Sequence, residues 1–157
     1  MPEIRYISGG EELLDRIKPL WEKLNHHHQI CSVDFKRWYR QFTFEMRKSM
    51  ITEKSRGDDI LVDLAQIAGE NEIIGYCLST IIPKNSGLEG EVDSIFVDEE
   101  YRGLHIGEEL FSRTLRWFDR RKVDFRRLLV ATGNEEVLEF YRKFDFYPRV
   151  IVLEQKR

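Results

Sequence analysis

The chain has 157 residues, 41% of them hydrophobic and 34% charged, with a net charge of -3. That length suits one domain, 1–157, with its own core, and the charge offers no basic field to gather nucleic acid. No apolar run is long enough to span a bilayer, and Met1-Pro-Glu-Ile-Arg-Tyr lacks a signal-peptide core, so neither a membrane nor export is expected.

A short strand is predicted over Glu3–Ile7, closed by Ser8-Gly9-Gly10. From Glu11 to His27, Leu13, Leu14, Ile17, Leu20, Trp21 and Leu24 recur at helical spacing, with Pro19 placed to kink that helix or split it. Ser32 is a plausible N-cap for a second helix carrying Phe35, Trp38, Phe42 and Met46 on one face. Two β-rich runs, Ile60–Ala68 and Glu72–Ile82, flank the hairpin signal Gly69-Glu-Asn71. A further strand is predicted over Glu89–Val97, and a long helix over Ile106–Lys122 with Ile106, Leu110, Phe111, Leu115 and Phe118 as its core stripe. Arg127–Ala131 reads as a short buried strand, Asn134 or Thr132 as the cap of a helix through Phe144, and Phe146–Leu153 as a last strand region. Strands in a meander followed by strand–helix units predict a mixed sheet with helices on both faces.

The richest stretch is the turn from Val97 into the long helix, Arg102-Gly103-Leu104-His105-Ile106-Gly107. A helix start leaves backbone N–H groups unpaired, and with the helix dipole they favour phosphate. Gly103 and Gly107 let the main chain approach a ligand, so a pyrophosphate-bearing molecule is the candidate. Glu108 and Glu109 suit a first helical turn and are expected to point away into solvent.

Ile95-Phe96-Val97 followed by Arg102-Gly103-x-x-Ile106-Gly107 resembles motif A of the GNAT N-acetyltransferases, whose loop reads Gln/Arg-x-x-Gly-x-Gly/Ala. Asn134, Phe140-Tyr141, Lys143 and Phe146 are similar to the same family's Asn-x-x-Ala-x-x-Phe-Tyr-x-Lys-x-Gly-Phe segment. The resemblance is clear from Ile73 to Pro148 and only compatible before that. It implies an α/β (α+β) GNAT fold of about six or seven strands, splayed between the motif A strand and the next. Acetyl-CoA, as co-substrate, would lie in that splay. The resemblance gives its pyrophosphate to the backbone of Arg102, Gly103, Leu104, His105, Ile106, Gly107 and Glu108, and its pantetheine arm to Ile95, Phe96, Val97 and Asn134. Homodimerisation is compatible with the family. This chain departs from the pattern at His105 and Asp145, where Gly is usual, and at Val137, where Ala is usual.

Acetyl transfer to an amine needs a base for the ammonium and a proton for the departing thiolate. Period-2 alternation places Glu89, Glu91, Asp93, Ile95 and Val97 on one strand face, giving Glu91 and Asp93 as candidate bases in an acidic pocket that attracts a cationic amine. By resemblance Tyr141 is the general acid. Cys31 and Cys77 read as unpaired thiols of a reducing, cytoplasmic setting. No well-placed Cys nucleophile stands out, so direct attack on a primary amine of a small molecule or peptide is expected. Successive helical residues diverge by about 100°, so His26-His27-His28 converge poorly on a metal and read as solvated at a helix end; no metal is expected. His28, Asp34 or Trp38 could border the acceptor by analogy with the fold. Arg113, Arg116 and Arg120 form a basic stripe of the long helix that reads as solvated or as facing an acidic partner. The alternative is a non-catalytic acyl-CoA-binding regulatory module. A nucleotide-phosphate domain fits less well, because no Gly-x-x-x-x-Gly-Lys-Ser/Thr loop occurs.

Overall fold

The computed structural model describes residues 2–157. Strands β1 (Ile4–Gly9), β2 (Ile60–Ile67), β3 (Ile73–Lys84), β4 (Gly87–Val97) and β5 (Phe125–Leu128) form one five-stranded sheet in sequential order. β1 to β4 run antiparallel to their neighbours, and β5 pairs parallel to β4. Helices α1 (Lys18–Cys31), α2 (Lys36–Gln41) and α3 (Phe44–Lys54) precede β2; α4 (Ile106–Arg120) joins β4 to β5; α5 (Leu138–Arg142) follows.

The sheet buries both faces. Leu20 and Trp21 of α1 and Phe44 and Ile51 of α3 pack with Val62, Leu64, Tyr76 and Leu78 on one side. Ile106, Leu110, Phe111, Trp117 and Phe118 of α4 pack with Ala65, Cys77, Ile81 and Val92 on the other, and Tyr141 joins them from α5. Both cysteines are free thiols, Cys77 buried and Cys31 half-buried.

Pro19 divides the first predicted helix: a 3-10 segment spans Glu11–Ile17, and α1 begins with the proline in its first turn, where its missing N–H costs nothing. The second predicted helix is also divided. Phe42 is extended, and Thr43 caps α3 by accepting from the Met46 amide at 3.2 Å. Met46 is thus exposed rather than on a core face. The sheet has five strands rather than six or seven, and β5 begins two residues earlier than its predicted start. The expected strand at Phe146–Leu153 does not join it. Val150–Leu153 is apolar without alternation, so it specifies no inward face, and all four residues are exposed.

α4 crosses β4 closely because Gly90 carries no side chain. A Cβ there would lie 2.6 Å from the ring of the fully buried Phe118. Gly90→Ala is expected to destabilise the fold by about 1–3 kcal/mol through overpacking, read as a lower midpoint in denaturant at unchanged slope.

A β-bulge shapes the functional half of β4. Leu78 pairs with Ser94 and Ser79 with Val92, which leaves Asp93 as the extra residue. The alternation therefore inverts. Glu89 and Glu91, opposite Ile82 and Thr80, share the α1–α3 face with Ser94 and Phe96, while Ile95 and Val97 turn to the α4 face. The expectation that Glu89, Glu91, Asp93, Ile95 and Val97 share one face is corrected by this single inserted residue.

Candidate active site

β4 and β5 pair only from Glu89 opposite Phe125 to Val92 opposite Leu128. Beyond Val92 the strands part, and a cavity of about 600 Å³ opens between them. Its size falls within the range typical of small-molecule and cofactor sites, about 300–1,000 Å³. Val92 to Val97 form one wall, Leu128 to Ala131 the other, and the turn into α4 closes one end. In this stretch the edge of β4 facing the cavity has no neighbouring strand, so its backbone can pair with an extended ligand.

The turn holds two residues in the left-handed region. Gly103 lies at φ 84° and His105 at φ 60°, both left-handed, and His105 is the residue before the first helical one. A non-glycine residue there costs about 1 kcal/mol, and histidine is among the more tolerant. Arg102 is fixed from behind: its Nε donates to the Val97 carbonyl at 3.1 Å, and its guanidinium lies 5.3 Å from the Phe96 ring centre. The first-turn amides of α4 have no intrahelical acceptors and are available to an anion. Gly107 is helical, and a Cβ built there would rest 3.6 Å from Phe140 and 3.8 Å from Val97, both cavity residues. The protein has room for that methyl, so only a ligand would object. Gly107→Ala is expected to leave stability unchanged or slightly raised while weakening CoA binding about tenfold, measured by calorimetry beside a melting curve.

Ile95, Phe96, Val97, Arg102, Gly103, His105, Ile106, Gly107, Glu108, Asn134 and Tyr141 all line the cavity. Leu104 does not; its side chain packs against the α4-side core. Glu108 does not point away. Its carboxylate accepts from Lys143 at 3.0 Å and contacts His105 at 3.2 Å, and Lys143 first, then His105, holds it below the usual carboxylate range. Asn134 stands at a helix start without capping it; its Oδ1 meets the His27 ring at 3.2 Å. His27 and His28 are not solvated bystanders, for both line the cavity. Burial beside His27 pushes His28 down to about 4, so it is neutral at physiological pH. Asp34 instead pairs with Lys156, and Trp38 stacks on Phe42. Asp145, like His105, is left-handed, at φ 64°.

The two candidate bases form a buried, compensated cluster rather than an acidic pocket. Lys54 of α3 bridges Asp93 at 2.6 Å and Glu91 at 3.0 Å. Arg127 reaches Glu91 at 3.2 Å, the Thr80 hydroxyl donates to Asp93 at 2.6 Å, and Arg47 donates to the Asp93 carbonyl at 2.9 Å. Burial pushes Asp93 up to about 6 against the pull of Lys54, with the Glu91 charge adding to the rise. Burial also favours the neutral form of Glu91, but the hydrogen bond with Asp93 and the charges of Lys54 and Arg127 outweigh it, so Glu91 sits below its ordinary value. The pair thus divides its roles: Glu91 stays ionised and Asp93 takes the proton. Asp93 borders the cavity with its side chain fully buried, and Glu91, 17% exposed, does not line it. Lys54, Arg47 and Arg127 escaped the sequence reading, since nothing local marks them as partners of β4.

Tyr141 is almost fully buried between Phe111 and Phe140, with ring centres 5.5 Å and 5.3 Å away, and it reaches the cavity. Burial, and to a lesser degree the Cys77 thiol, pushes its phenol well above the usual tyrosine range, so it keeps its proton. Cys77 is itself pushed up to about 12 by burial.

A sheet splayed beside a glycine turn, with a helix start at the end of the gap, is the architecture of an acetyltransferase domain. The acetyltransferase (GNAT) family model matches residues 20–146, and the chain belongs to that family. An uncharacterized N-acetyltransferase of Methanocaldococcus jannaschii is 31% identical over 62 residues, 40% of this chain and 27% of the relative, so the match spans about a quarter of that relative's length. A provisionally assigned acetyl transferase from Pyrococcus furiosus superposes with a TM-score of 0.78 at 18% identity, covering 99% of this chain and 100% of the other. An aminoglycoside N-acetyltransferase solved with CoA superposes with a TM-score of 0.71 at 14% identity, over 100% and 97% of the two chains. At these identities the superpositions show the shared fold.

Proposed function

We propose that the chain is an acetyl-CoA-dependent N-acetyltransferase that acetylates a primary amine of a small molecule or peptide by direct attack. The observation that carries this reading is the parting of β4 from β5 after Val92, next to the free amides at the start of α4. CoA would lie with its diphosphate on the backbone from Arg102 to Glu108 and its pantetheine along Ile95 to Val97. The thioester would then sit between Tyr141 and Asp93.

Asp93 takes a proton from the ammonium, directly or through water. The neutral nitrogen attacks the thioester carbonyl carbon; the C–N bond forms, the C–S bond breaks, and the acylated nitrogen releases its second proton to water. Tyr141 donates its proton to the departing thiolate and recovers one from solvent. A covalent acetyl-cysteine route has little support: Cys77 is buried and firmly protonated, and Cys31 does not line the cavity.

The test follows CoA thiol release from acetyl-CoA across a panel of amines, amino acids and peptides, with product mass measured in parallel. Amine-dependent thiol release with a matching acetylated product is expected. CoA binding with no transfer to any acceptor would point to an acyl-CoA-binding module instead, and absence of CoA binding would remove both readings.

A further inference from the structure

A second cavity lies against the sheet on the α4 side, with a volume of about 110 Å³. Ser8 of β1, Leu61 and Asp63 of β2, and Arg113, Arg116 and Arg120 of α4 enclose it, and it shares no lining residue with the acetyl cleft. Asp63 is completely buried. Its Oδ1 accepts from the Ser8 hydroxyl, and its Oδ2 has no hydrogen-bond partner. The arginines do not close on it. Arg113 and Arg116 both turn to Glu109, at 3.0 Å and 3.3 Å, and Arg113 also lies 4.7 Å from the Tyr6 ring centre. Arg120 has no carboxylate partner among the described residues.

A buried carboxyl oxygen without a partner is costly. Guanidinium groups on a helix facing it are the obvious remedy, yet a gap separates them. Burial favours the neutral carboxyl of Asp63 against the pull of Ser8 and the arginines. When protonated, that carboxyl offers a hydrogen-bond donor to whatever fills the gap. With at most two charged carboxyl groups, Glu109 and Asp63, against three guanidinium groups, the cavity is net cationic in either state of Asp63. The gap has room for only a few waters, each occupying about 30 Å³, or for one small anion. A nucleotide would not enter.

We propose that this cavity binds a small tetrahedral oxyanion, phosphate or the phosphoryl group of a monoester, held by Arg113, Arg116 and Arg120 from α4 and by the Asp63 side chain from the sheet. Guanidinium forks match such an anion in geometry and charge. The site lies on the same helix whose first turn faces the acetyl cleft.

The experiment is calorimetry with sulfate, inorganic phosphate and phosphoserine on protein saturated with CoA, which blocks the diphosphate loop, at constant ionic strength. Wild-type protein is expected to bind, and the Arg116→Gln/Arg120→Gln double variant to lose at least tenfold in affinity while still binding CoA. Both residues are exposed, so the fold survives their loss. Asp63→Asn keeps a donor and is expected to keep the affinity. Binding of all three probes assigns the site to the bare oxyanion; binding of phosphoserine alone assigns it to a phosphoryl ester. Equal affinity in wild type and double variant, or no heat above the ionic-strength control, overturns the site. Lost binding in a folded Asp63→Asn overturns the role of Asp63.

Discussion

Asp93→Asn is expected to lower kcat/KM by about 10²–10⁴-fold, the range for removing a positioned general base, with CoA affinity nearly unchanged. Asp93 lies on the α1–α3 face of β4, held by Lys54 and Thr80, while the proposed CoA contacts run from Ile95 onward. The pH profile carries the sharper signature. A base must be ionised, so kcat/KM should fall as pH drops through the Asp93 value of about 6 and stay flat above it. In the Asn variant that limb disappears along with most of the rate. Stability moves the opposite way. The folded value lies above the unfolded one of about 3.9, so the contribution of Asp93 is fully present below pH about 4 and is lost as pH rises through about 6. Acid should therefore favour the Asp93 carboxyl while silencing the enzyme, whereas Glu91, held below its ordinary value, loses its contribution at still lower pH. A kcat/KM limb near 6 that persists in Asp93→Asn would assign the proton to another group.

Tyr141→Phe is expected to lower kcat by about 10²-fold or more, the lower bound for losing a general acid, with the KM for acetyl-CoA little changed. The ring keeps its packing against Phe111 and Phe140, so the loss reports on the hydroxyl and not on the fold. Because the phenol stays protonated well past the usual tyrosine range, no alkaline limb should come from it. The decisive comparison uses acetyl donors whose thiol leaves more readily. A more acidic leaving thiol needs less help, so the gap between wild type and Phe variant should narrow. An unchanged gap would mean that the hydroxyl orients substrate and donates no proton.

Much of the cleft was legible locally. The left-handed residues at Gly103 and His105 follow from a tight strand-to-helix turn, and the stripe of α4 from a 3.6-residue period. Pro19 announced a break in the first helix. The carboxylates were found by type but misplaced by period. Alternation assumes an unbroken ladder, and one extra residue at Asp93 inverts every position after it. The histidine run was misread for a related reason: a helix end looks solvated until another element covers it, and here His27 reaches Asn134 across the cleft.

The sequence alone determined the order of the five strands β1 to β5, the anion-ready start of α4 and the family to which the chain belongs, because each rests on residues close together in the chain. Only the tertiary structure decided which carboxylate holds the proton. That depends on Lys54 from α3 and Arg127 from β5, 39 and 36 positions from the acids they meet. Proton affinity inside a protein is set by burial and by charges a few ångströms away, and those distances exist only once the chain has folded.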